Sequence, residues 1–407
     1  MKKVCLYYSF IPYGNLVFSF LGIFVFCSGA PAQGYKQVHD GVEYADVTRE
    51  ISGQQVRMNL LRLDLSKVRL DVVHAKNSVI GTDKTSAIAV SRGAIAAVNA
   101  GFFRLDTSLF AGDPAGILQI DGKLLSESTN GRIAMLITND QNGCVSCRLS
   151  NDQSMITFEH LNTYAEFWSR QNRFNISGID RQLKDNDAVL YTPEMGIVTP
   201  QTEFKVTEVV IENKMIKRVV ETNGGTKIPA AGFVLTAAGS KNSELAAMAA
   251  TGNEGITIIG SYADRDTGAA PTVGKMKFID VEDIVGGVPQ LIKDGKIDIT
   301  WEKEKATRSF FETRHPRTAA AKLKDGKFLL ITVDGRSESS GGISLADLAS
   351  LLLELGATDA MNLDGGGSTT MYLEGNVVNH PSDTEGERAV SDALVVTARK
   401  KTLPKKN

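Results

Sequence analysis

Residues 328–364, FLLITVDGRSESSGGISLADLASLLLELGATDAMNLD, contain a strand, a helix and a second strand in immediate succession. The apolar run 328–333 has the composition of a buried strand, and 360–364 forms the second strand. Between them Ser344 is a good N-cap, leucines recur at helical spacing, and Gly356 is a stop signal. This order predicts a right-handed crossover with parallel strands, whose C-terminal ends lie at one edge of the sheet.

Polar residues follow both strands of this crossover. Asp334 and Arg336 come after the first strand, and Asn362 and Asp364 lie at the end of the second. Because the two ends should meet, we expect the carboxylates to open onto one pocket and to act as an acid/base or nucleophile pair. The alternative for each carboxylate is turn chemistry, since Asp before Gly is common in turns.

A glycine run continues directly from Asp364 as GGGSTT, residues 365–370. Without side chains, its backbone N–H groups can approach a bound group closely and form an anion-binding nest. A flexible linker is the alternative, but the strand-like residues on both sides argue against it. The run is not a P-loop, because no Gly-Lys-Ser/Thr ending follows.

Cationic residues lie in turn-like segments around these motifs. Three arginines, taken together, suit a phosphodiester or another anionic substrate: Arg317, Arg336 and Arg388. Each of them taken alone is typical of a surface ion pair. His315 and His380 are candidates for a proton shuttle, with a structural hydrogen bond as the alternative role for each.

Short strands separated by turns dominate the remainder of the chain. Residues 56–63 and 68–73 alternate like half-buried strands, and the apolar run 94–98 leads to Asn99. Further strands are expected at 188–191, 208–212 and 233–236. We therefore predict a mixed α/β (α+β) fold in which a strand-rich N-terminal lobe packs on a C-terminal lobe. The C-terminal lobe holds the strand-helix-strand crossover and most of the site.

Composition limits the classes of partner. The chain has 407 residues, 42% of them hydrophobic, and a net charge of -2, so it can bury a large core. Its bulk charge creates no field that favours nucleic acid or an anionic membrane, and we expect no nucleic-acid partner. Any bound anion must be held by a local site.

The N-terminus has the pattern of a signal peptide. Lys2 and Lys3 precede an apolar run at 16–26, and Ala30-Pro31-Ala32 is a cleavage signature, which predicts residues 1–32 as a signal and export to the periplasm or medium. An uncleaved membrane anchor and lipidation at Cys27 are the alternatives, and membrane contact is expected only through this segment.

Two cysteines remain after removal of the signal. Cys144 and Cys147 are too few for a Cys-rich zinc site, and a short-loop disulfide is the usual fate of such a pair in an exported protein. A thioredoxin-like redox role is the alternative, disfavoured by the turn-like residues before the pair. The sequence leaves the redox state of this pair open.

Several motifs together resemble the phosphodiester glycosidase family. Five motifs occur in the order seen in that family, and the likeness spans residues 87–396. They are NAGFF at 99–103, GVPQLI at 287–292, PRTA at 316–319, VDGR at 333–336 and NLDGGGST at 362–369. Ala100 stands where members often have a second glycine, and Ala320-Ala321 where a glycine commonly follows. Neither departure removes a reactive group, but both leave the width of the pocket open.

The resemblance implies hydrolysis of a glycosidic bond to a phosphate-bearing leaving group, with bacterial members linked to exopolysaccharide. The catalytic candidates are Asp334, Asp364 and Glu387. The candidates for binding substrate or phosphate are Asn99, Arg317, Thr318, Arg336, Asn362, Gly365, Gly366, Gly367, Ser368 and Arg388.

The N-terminal pattern and the family resemblance together predict the domains and partners. We expect a signal at 1–32, a strand-rich segment at 33–84, a phosphodiester glycosidase-like domain at 85–398 and a basic tail at 399–407. The expected partner is a carbohydrate or sugar-phosphate substrate. No cofactor is required, although the carboxylates are compatible with a divalent cation. A non-catalytic glycan-binding module of the same fold is the alternative function.

Overall fold

The computed structural model describes residues 34–77, 80–108, 110–139, 155–167, 172–250, 255–262, 275–276 and 281–399. The described residues belong to one compact unit, Gly34–Asn407. The predicted signal segment, Cys27, Cys144 and Cys147 lie outside the described residues, as does the tail after residue 399. None of the helices in the described ranges has the length and hydropathy needed to cross a membrane.

Alternating and continuous apolar runs produce many short strands. In chain order these are β1 Lys36–His39, β2 Val42–Ile51, β3 Gln54–Leu63, β4 Val68–His74, β5 Asp83–Lys84, β6 Ala96–Asn99, β7 Leu118–Ile120, β8 Lys123–Ser126, β9 Ile133–Thr138, β10 Met155–Phe167, β11 Asn172–Asn175, β12 Gly178–Ile179, β13 Ala188–Tyr191, β14 Val206–Glu212, β15 Met215–Thr222, β16 Gly232–Ala238, β17 Ile256–Tyr262, β18 Lys275–Met276, β19 Asp283–Gly286, β20 Gln290–Lys293, β21 Lys296–Ile297, β22 Arg317–Leu323, β23 Phe328–Val333, β24 Ala357–Asn362, β25 Met371–Leu373, β26 Asn376–Val377, β27 Ala389–Val390 and β28 Asp392–Ala398.

The α-helices are α1 Thr85–Ser91, α2 Lys241–Ala249, α3 Arg308–Glu312 and α4 Leu345–Glu354, and short 3-10 turns cover Ala75–Asn77 and Gly366–Ser368. The described part of the structure is 48% strand and 11% helical. The predicted mixed α/β (α+β) fold is therefore wrong, and the protein is mainly β. The prediction extended the one strongly amphipathic helix, α4, to a balanced fold class, whereas α1, α2 and α3 have only 7, 9 and 5 residues.

The central sheet contains the crossover. Its strand order is β1-β2-β3-β23-β22-β24-β20-β21. Both β23 and β24 run antiparallel to β22, so β23 and β24 are parallel to each other, as predicted. They are not neighbours, because β22 lies between them. The C-terminal ends of β23 and β24 and the N-terminal end of β22 thus share one edge.

Helix α4 covers one face of this sheet. The Ser344 hydroxyl accepts a hydrogen bond from the Asp347 amide, which confirms the predicted N-cap, and Gly356 ends the helix region with a φ of 90°. Leu345, Leu348 and Leu352 are fully buried against the sheet. Each such leucine contributes about 1.5–3 kcal/mol of burial free energy.

Two further sheets cover the opposite face of the central sheet. One has the order β26-β25-β6-β28-β4, and the other has the order β18-β17-β10-β9-β19-β7-β8. A shared apolar core joins all three sheets, with Leu330 and Met361 from the central sheet, Val98 and Leu394 from the second, and Met135 from the third. This packing brings the end of β6, and with it Asn99, beneath the ends of β22 and β24. Strands β12, β13, β16, β14 and β15 form a separate smaller sheet.

Candidate active site

Strand register places the predicted polar residues at one edge of the central sheet. Arg317 at the start of β22 pairs with Val333, the last residue of β23, and Ala319 pairs with Asn362, the last residue of β24. Because strands lie about 4.8 Å apart, the ends of β23 and β24 are separated by roughly 10 Å. Asp334 and Asp364 follow those two ends.

Asn99 and Thr318 fasten the loop that carries Asp364. The Asn99 Nδ2 donates to the Asp364 carbonyl at 2.8 Å, while its Oδ1 accepts from the Thr318 hydroxyl at 2.7 Å and from the Thr370 amide at 3.1 Å. Asn99 and Thr318 are both fully buried. Their polar groups are used inside the protein, so these two predicted substrate contacts hold the loop in place.

Asn362 is likewise fully buried, and its Nδ2 donates to the carbonyls of Val288 and Leu363, each at 2.7 Å. Within the described ranges its Oδ1 has no hydrogen-bond partner. Asn362 therefore joins the end of β24 to the segment before β20.

Asp364 is the carboxylate best placed for chemistry. It is half-buried, and its Oδ1 accepts a hydrogen bond from the Gly365 amide at 2.9 Å. Burial raises its pKa to about 6, with Asp392 adding to the rise and Ser368, Gly365 and Arg388 opposing it. Asp364 is thus ionised at neutral pH yet more basic than an ordinary aspartate, which suits a general base or a nucleophile.

The glycine run is in close contact with two guanidinium groups. A Cβ placed on Gly366, whose φ is 60°, would lie 3.0 Å from the Arg336 Nη2, and one on Gly367 would lie 2.1 Å from the Asp383 Oδ1 and 2.2 Å from the Arg388 Nη2. A Cβ on Gly365 would instead lie 2.7 Å from the carbonyl oxygen of Pro316. Glycine is required at 366 because of its positive φ and the approach of Arg336, and at 367 because the Asp383–Arg388 pair lies against the backbone.

These contacts predict different outcomes for two alanine substitutions. Gly367→Ala should displace the side-chain ends of Asp383 and Arg388 and weaken phosphate binding about tenfold, because one charge-assisted hydrogen bond is worth about 1.5–3 kcal/mol, while the melting temperature stays close to that of wild type. Gly365→Ala meets backbone and should destabilise the fold by roughly 1–3 kcal/mol. Calorimetry with inorganic phosphate and thermal melts would measure both. Equal loss of stability in the two variants would contradict this assignment.

Arg317 is a buried cation that donates its hydrogen bonds to backbone carbonyls. It is 2% exposed, its Nη2 donates to the carbonyls of Phe310 at 2.7 Å and Thr313 at 2.9 Å, and its guanidinium carbon lies 4.8 Å from the centre of the Phe310 ring. No carboxylate of the described residues forms an ion pair with it. Burial, with a smaller effect of Arg336, lowers its pKa to about 10. Its positive charge is therefore uncompensated close to the glycine run.

The other two arginines have different surroundings. Arg388 binds Asp383 through two hydrogen bonds, at 2.7 and 3.0 Å. Arg336 is exposed, has a φ of 59°, and its Nη2 lies 3.4 Å from the His315 Nδ1. Burial and the charges of Arg317 and Arg336 lower the pKa of His315, which favours its neutral imidazole.

Asp334 lies deeper, at 2% exposure. Its Oδ1 accepts from the Asn379 side chain at 3.2 Å and from the His380 amide at 3.0 Å, and burial raises its pKa. The same Asn379 Nδ2 donates to the Thr369 carbonyl at 3.0 Å, which links Asp334 to the glycine-run loop.

The two predicted acids are therefore not in direct contact. In the described part of the chain no hydrogen bond joins Asp334 to Asp364. Their electrostatic surroundings also differ, because Arg57 and His380 act on Asp334, whereas Arg388 and Asp392 act on Asp364. The side chain of His380 is exposed, with its Nδ1 3.3 Å from the Pro381 carbonyl oxygen.

Glu387, the third predicted catalytic residue, binds the first turn of α1. Its two carboxylate oxygens accept from the Ser86 amide at 2.7 Å and from the Ser86 hydroxyl at 2.6 Å. This contact anchors the segment that carries Arg388. Glu387 therefore acts on the site through its neighbour in sequence.

Three residues at the site were not predicted from sequence. Asn379 connects Asp334 to the glycine-run loop, Asp383 holds Arg388, and Asp392 accepts from the Gly101 amide at 2.6 Å. No local pattern distinguishes them, although Asn379 stands in an Asn-His-Pro turn sequence. Among the residues that the structure describes, no group of three or more His, Cys, Asp or Glu side chains is arranged to hold a metal ion.

Residues 205–397 match the family described as phosphodiester glycosidase, which confirms the resemblance seen in the motifs. The chain is 41% identical over 107 residues to the SPbeta prophage-derived uncharacterized protein YomE of Bacillus subtilis (strain 168), covering 26% of this chain and 16% of that protein. It is 37% identical over 109 residues to N-acetylglucosamine-1-phosphodiester alpha-N-acetylglucosaminidase of Bos taurus, covering 25% of this chain and 20% of that enzyme.

The fold resembles a crystal structure of a hypothetical protein from Synechocystis. The TM-score is 0.72 at 22% sequence identity, and the alignment covers 91% of this chain and 65% of that one. At this identity the likeness establishes the fold alone. The alignments to the two sequence relatives span a fifth or less of those proteins.

Proposed function

Because residues 205–397 belong to the phosphodiester glycosidase family, we propose that the chain hydrolyses the glycosidic bond of a sugar-1-phosphodiester or a related anionic glycoconjugate. The observation that carries this proposal is the glycine run, which lies against the guanidinium groups of Arg336 and Arg388 directly after the basic carboxylate Asp364.

The anion-binding half of the proposed site consists of arginines and backbone amides. Arg388 and Arg336 take the phosphate, and the buried charge of Arg317, which forms no ion pair with the described residues, adds to the positive potential at this edge. No carboxylate of the described residues pairs with Arg317. The phosphate of a sugar-1-phosphodiester would provide this negative charge. The ring of Phe310 lies 4.8 Å from the guanidinium carbon of Arg317, and the ring of Phe102, 6.0 Å from that of Phe310, extends this apolar surface.

The reacting half of the proposed site is Asp364. A water molecule attacks the anomeric carbon, the bond from that carbon to the phosphate oxygen breaks, and the electron pair leaves with the phosphate. Asp364 accepts the proton of the water and stabilises the positive charge that develops on the sugar. The phosphate leaving group needs little protonation, so the arginines and amides supply most of the required stabilisation.

We further propose that the reaction occurs outside the cytoplasm, in the metabolism of the cell envelope or of exopolysaccharide. The support is the N-terminal pattern of two lysines, an apolar run and an A-x-A signature. The proposed chemistry uses side chains and backbone of this chain alone, and assays with EDTA and with Mg²⁺ would reveal any part played by a divalent cation.

The direct experiment is an assay of sugar release from a panel of sugar-1-phosphodiesters. Arg388→Gln should raise KM for these diesters about 10- to 100-fold, because a charge-assisted contact to phosphate is worth about 1.5–3 kcal/mol. The matched control is Arg49→Gln. Arg49 also binds one carboxylate, Glu354, through two hydrogen bonds, but it lies on β2, outside the proposed site. Its KM should stay at the wild-type value.

The alternative of a glycan-binding module predicts a different result. If wild-type protein releases no sugar from any diester, with EDTA or with Mg²⁺, yet binds glycans with the same affinity as Asp364→Asn, the hydrolase proposal is wrong and the binding module replaces it.

A further inference from the structure

A second buried acid, Asp392, lies behind the loop of Asp364. It begins β28 and is 1% exposed. Its Oδ1 accepts from the Gly101 amide at 2.6 Å and its Oδ2 accepts from the Ser391 hydroxyl at 2.7 Å. Its own carbonyl accepts from the Ala100 amide at 3.2 Å. These two donors favour the ionised form of the Asp392 carboxylate, whereas its burial opposes ionisation.

Residues 99–101 connect Asp392 to Asp364. The Ala100 carbonyl accepts from the Asp364 amide at 2.9 Å, and the Asn99 side chain donates to the Asp364 carbonyl at 2.8 Å. A Cβ on Gly101 would lie 3.1 and 3.3 Å from the two Asp392 oxygens, so the carboxylate packs directly against this segment. The backbone of Asp364 thus rests on a segment that Asp392 holds from behind.

Asp392 also has a buried histidine beside it. His74, the last residue of β4, pairs with Asp392 across the two strands and is 4% exposed. Its Nδ1 lies 2.8 Å from the Ala75 carbonyl oxygen. Burial lowers the pKa of His74 and raises the pKa of Asp392, and each group opposes the shift of the other. Arg388 and Asp392 are among the charged groups that act on Asp364, with opposite effects on its pKa.

We propose that Asp392 is a positioning residue for Asp364: it fixes residues 99–101 beneath the Asp364 loop and places a second negative charge behind the Asp364 carboxylate. The inference rests on the proposed role of Asp364 as a base. Asp392 itself lies behind the 99–101 segment and acts through Asp364.

Asp392→Asn removes the negative charge at position 392 and keeps the size of the side chain. Asparagine keeps an oxygen acceptor for the Gly101 amide but removes the negative charge. Asp364 then ionises at lower pH and becomes a weaker base. The limb of the kcat profile that rises near pH 6 should therefore move to lower pH, and kcat at pH 7 should fall about three- to tenfold. KM should stay within about twofold, since Asp392 does not touch the substrate.

Asp180→Asn is the matched control. Asp180 is fully buried and accepts from the Thr192 amide and hydroxyl, so it has the same kind of donors as Asp392. It belongs to the loop after β12, outside the proposed site. Its pH profile should equal that of wild type. An unshifted limb in Asp392→Asn, or an equal shift in Asp180→Asn, would overturn the inference.

Ser391→Ala provides the test if Asp392→Asn does not fold. It removes only the hydroxyl donor to the Asp392 Oδ2, which makes the ionised form of Asp392 less favourable. The limb should move in the same direction by a smaller amount, and no movement counts against the inference.

A measurement without substrate separates this inference from the proposed function. Titration of the Asp364 carboxyl by ¹³C NMR, with Asp364→Asn to assign the signal, reports the same coupling in the free protein. A lower midpoint in Asp392→Asn, or in Ser391→Ala, supports the inference even if wild type releases no sugar. An unchanged midpoint refutes it.

Discussion

Asp364→Asn should lower kcat for sugar release by about 10²–10⁴-fold, the usual contribution of a general acid or base. Asparagine has nearly the same size and still accepts from the Gly365 amide, so the loop should keep its conformation. What it lacks is the negative charge that the transition state requires when positive charge develops on the sugar. The affinity for a sugar phosphate should therefore change by less than about threefold.

The pH dependence follows from the same group. Burial raises the pKa of Asp364 to about 6, and the proposed base acts in its ionised form. Wild-type kcat should thus rise as the pH increases through about 6 and level off above pH 7, and Asp364→Asn should lose this limb. Initial rates at fixed substrate saturation and calorimetry with the sugar phosphate would test both statements.

Asp359→Asn is the control for this experiment. Asp359 lies in β24, the same strand that leads to Asp364, and forms an ion pair with Lys293 at 3.2 Å. Its replacement should leave kcat unchanged. If Asp364→Asn retains kcat within about threefold of wild type, Asp364 is not the base and the mechanism proposed here fails.

Arg317→Lys should lower the free energy of unfolding by about 2–4 kcal/mol. Both side chains are cationic, so the cost of burying a charge remains in the variant. Lysine cannot reproduce the planar fork that donates to the carbonyls of Phe310 and Thr313 and stacks on the Phe310 ring. Two buried carbonyl oxygens then lose their donor, and each costs roughly 1–3 kcal/mol.

Urea denaturation at constant m would measure this loss. The control is Arg308→Lys at the start of α3, because the Arg308 side chain is 78% exposed and forms an ion pair with Glu312. Its effect should stay within about 0.5 kcal/mol. A loss below about 1 kcal/mol in Arg317→Lys would show that the carbonyl contacts contribute little to the fold.

Local pattern was sufficient for individual elements but not for their pairing. The strand at 328–333, the Ser344 cap and the Gly356 stop are confirmed because each depends on neighbouring residues. The position of β22 between β23 and β24 depends on which distant strands pair with each other. The hydrophobic periodicity of a single segment does not say which strand it pairs with. The fold class failed for a related reason, since one long amphipathic helix says little about the many short strands around it.

The site shows the same division. The glycine run could be recognised because it follows Asp364 directly in the sequence, whereas its contacts with Arg336 and Arg388 depend on the fold. The contact of Glu387 with α1 could not be predicted from local sequence, because its partner Ser86 is 301 residues away. Asp392 was not predicted for the same reason, because Gly101, whose amide donates to it, lies 291 residues earlier in the sequence.

The hydrogen bonds of Asn99 also constrain how the protein is made. They join positions 219, 265 and 271 residues apart, and β28, which completes the sheet of β6, ends at Ala398. Loops of this length close slowly during folding. A nascent chain therefore has no assembled site until β28 has been synthesised. The segment 205–397 likewise cannot be separated as a working unit, because it would leave behind β3, β4 and β6, on which β23 and β28 depend.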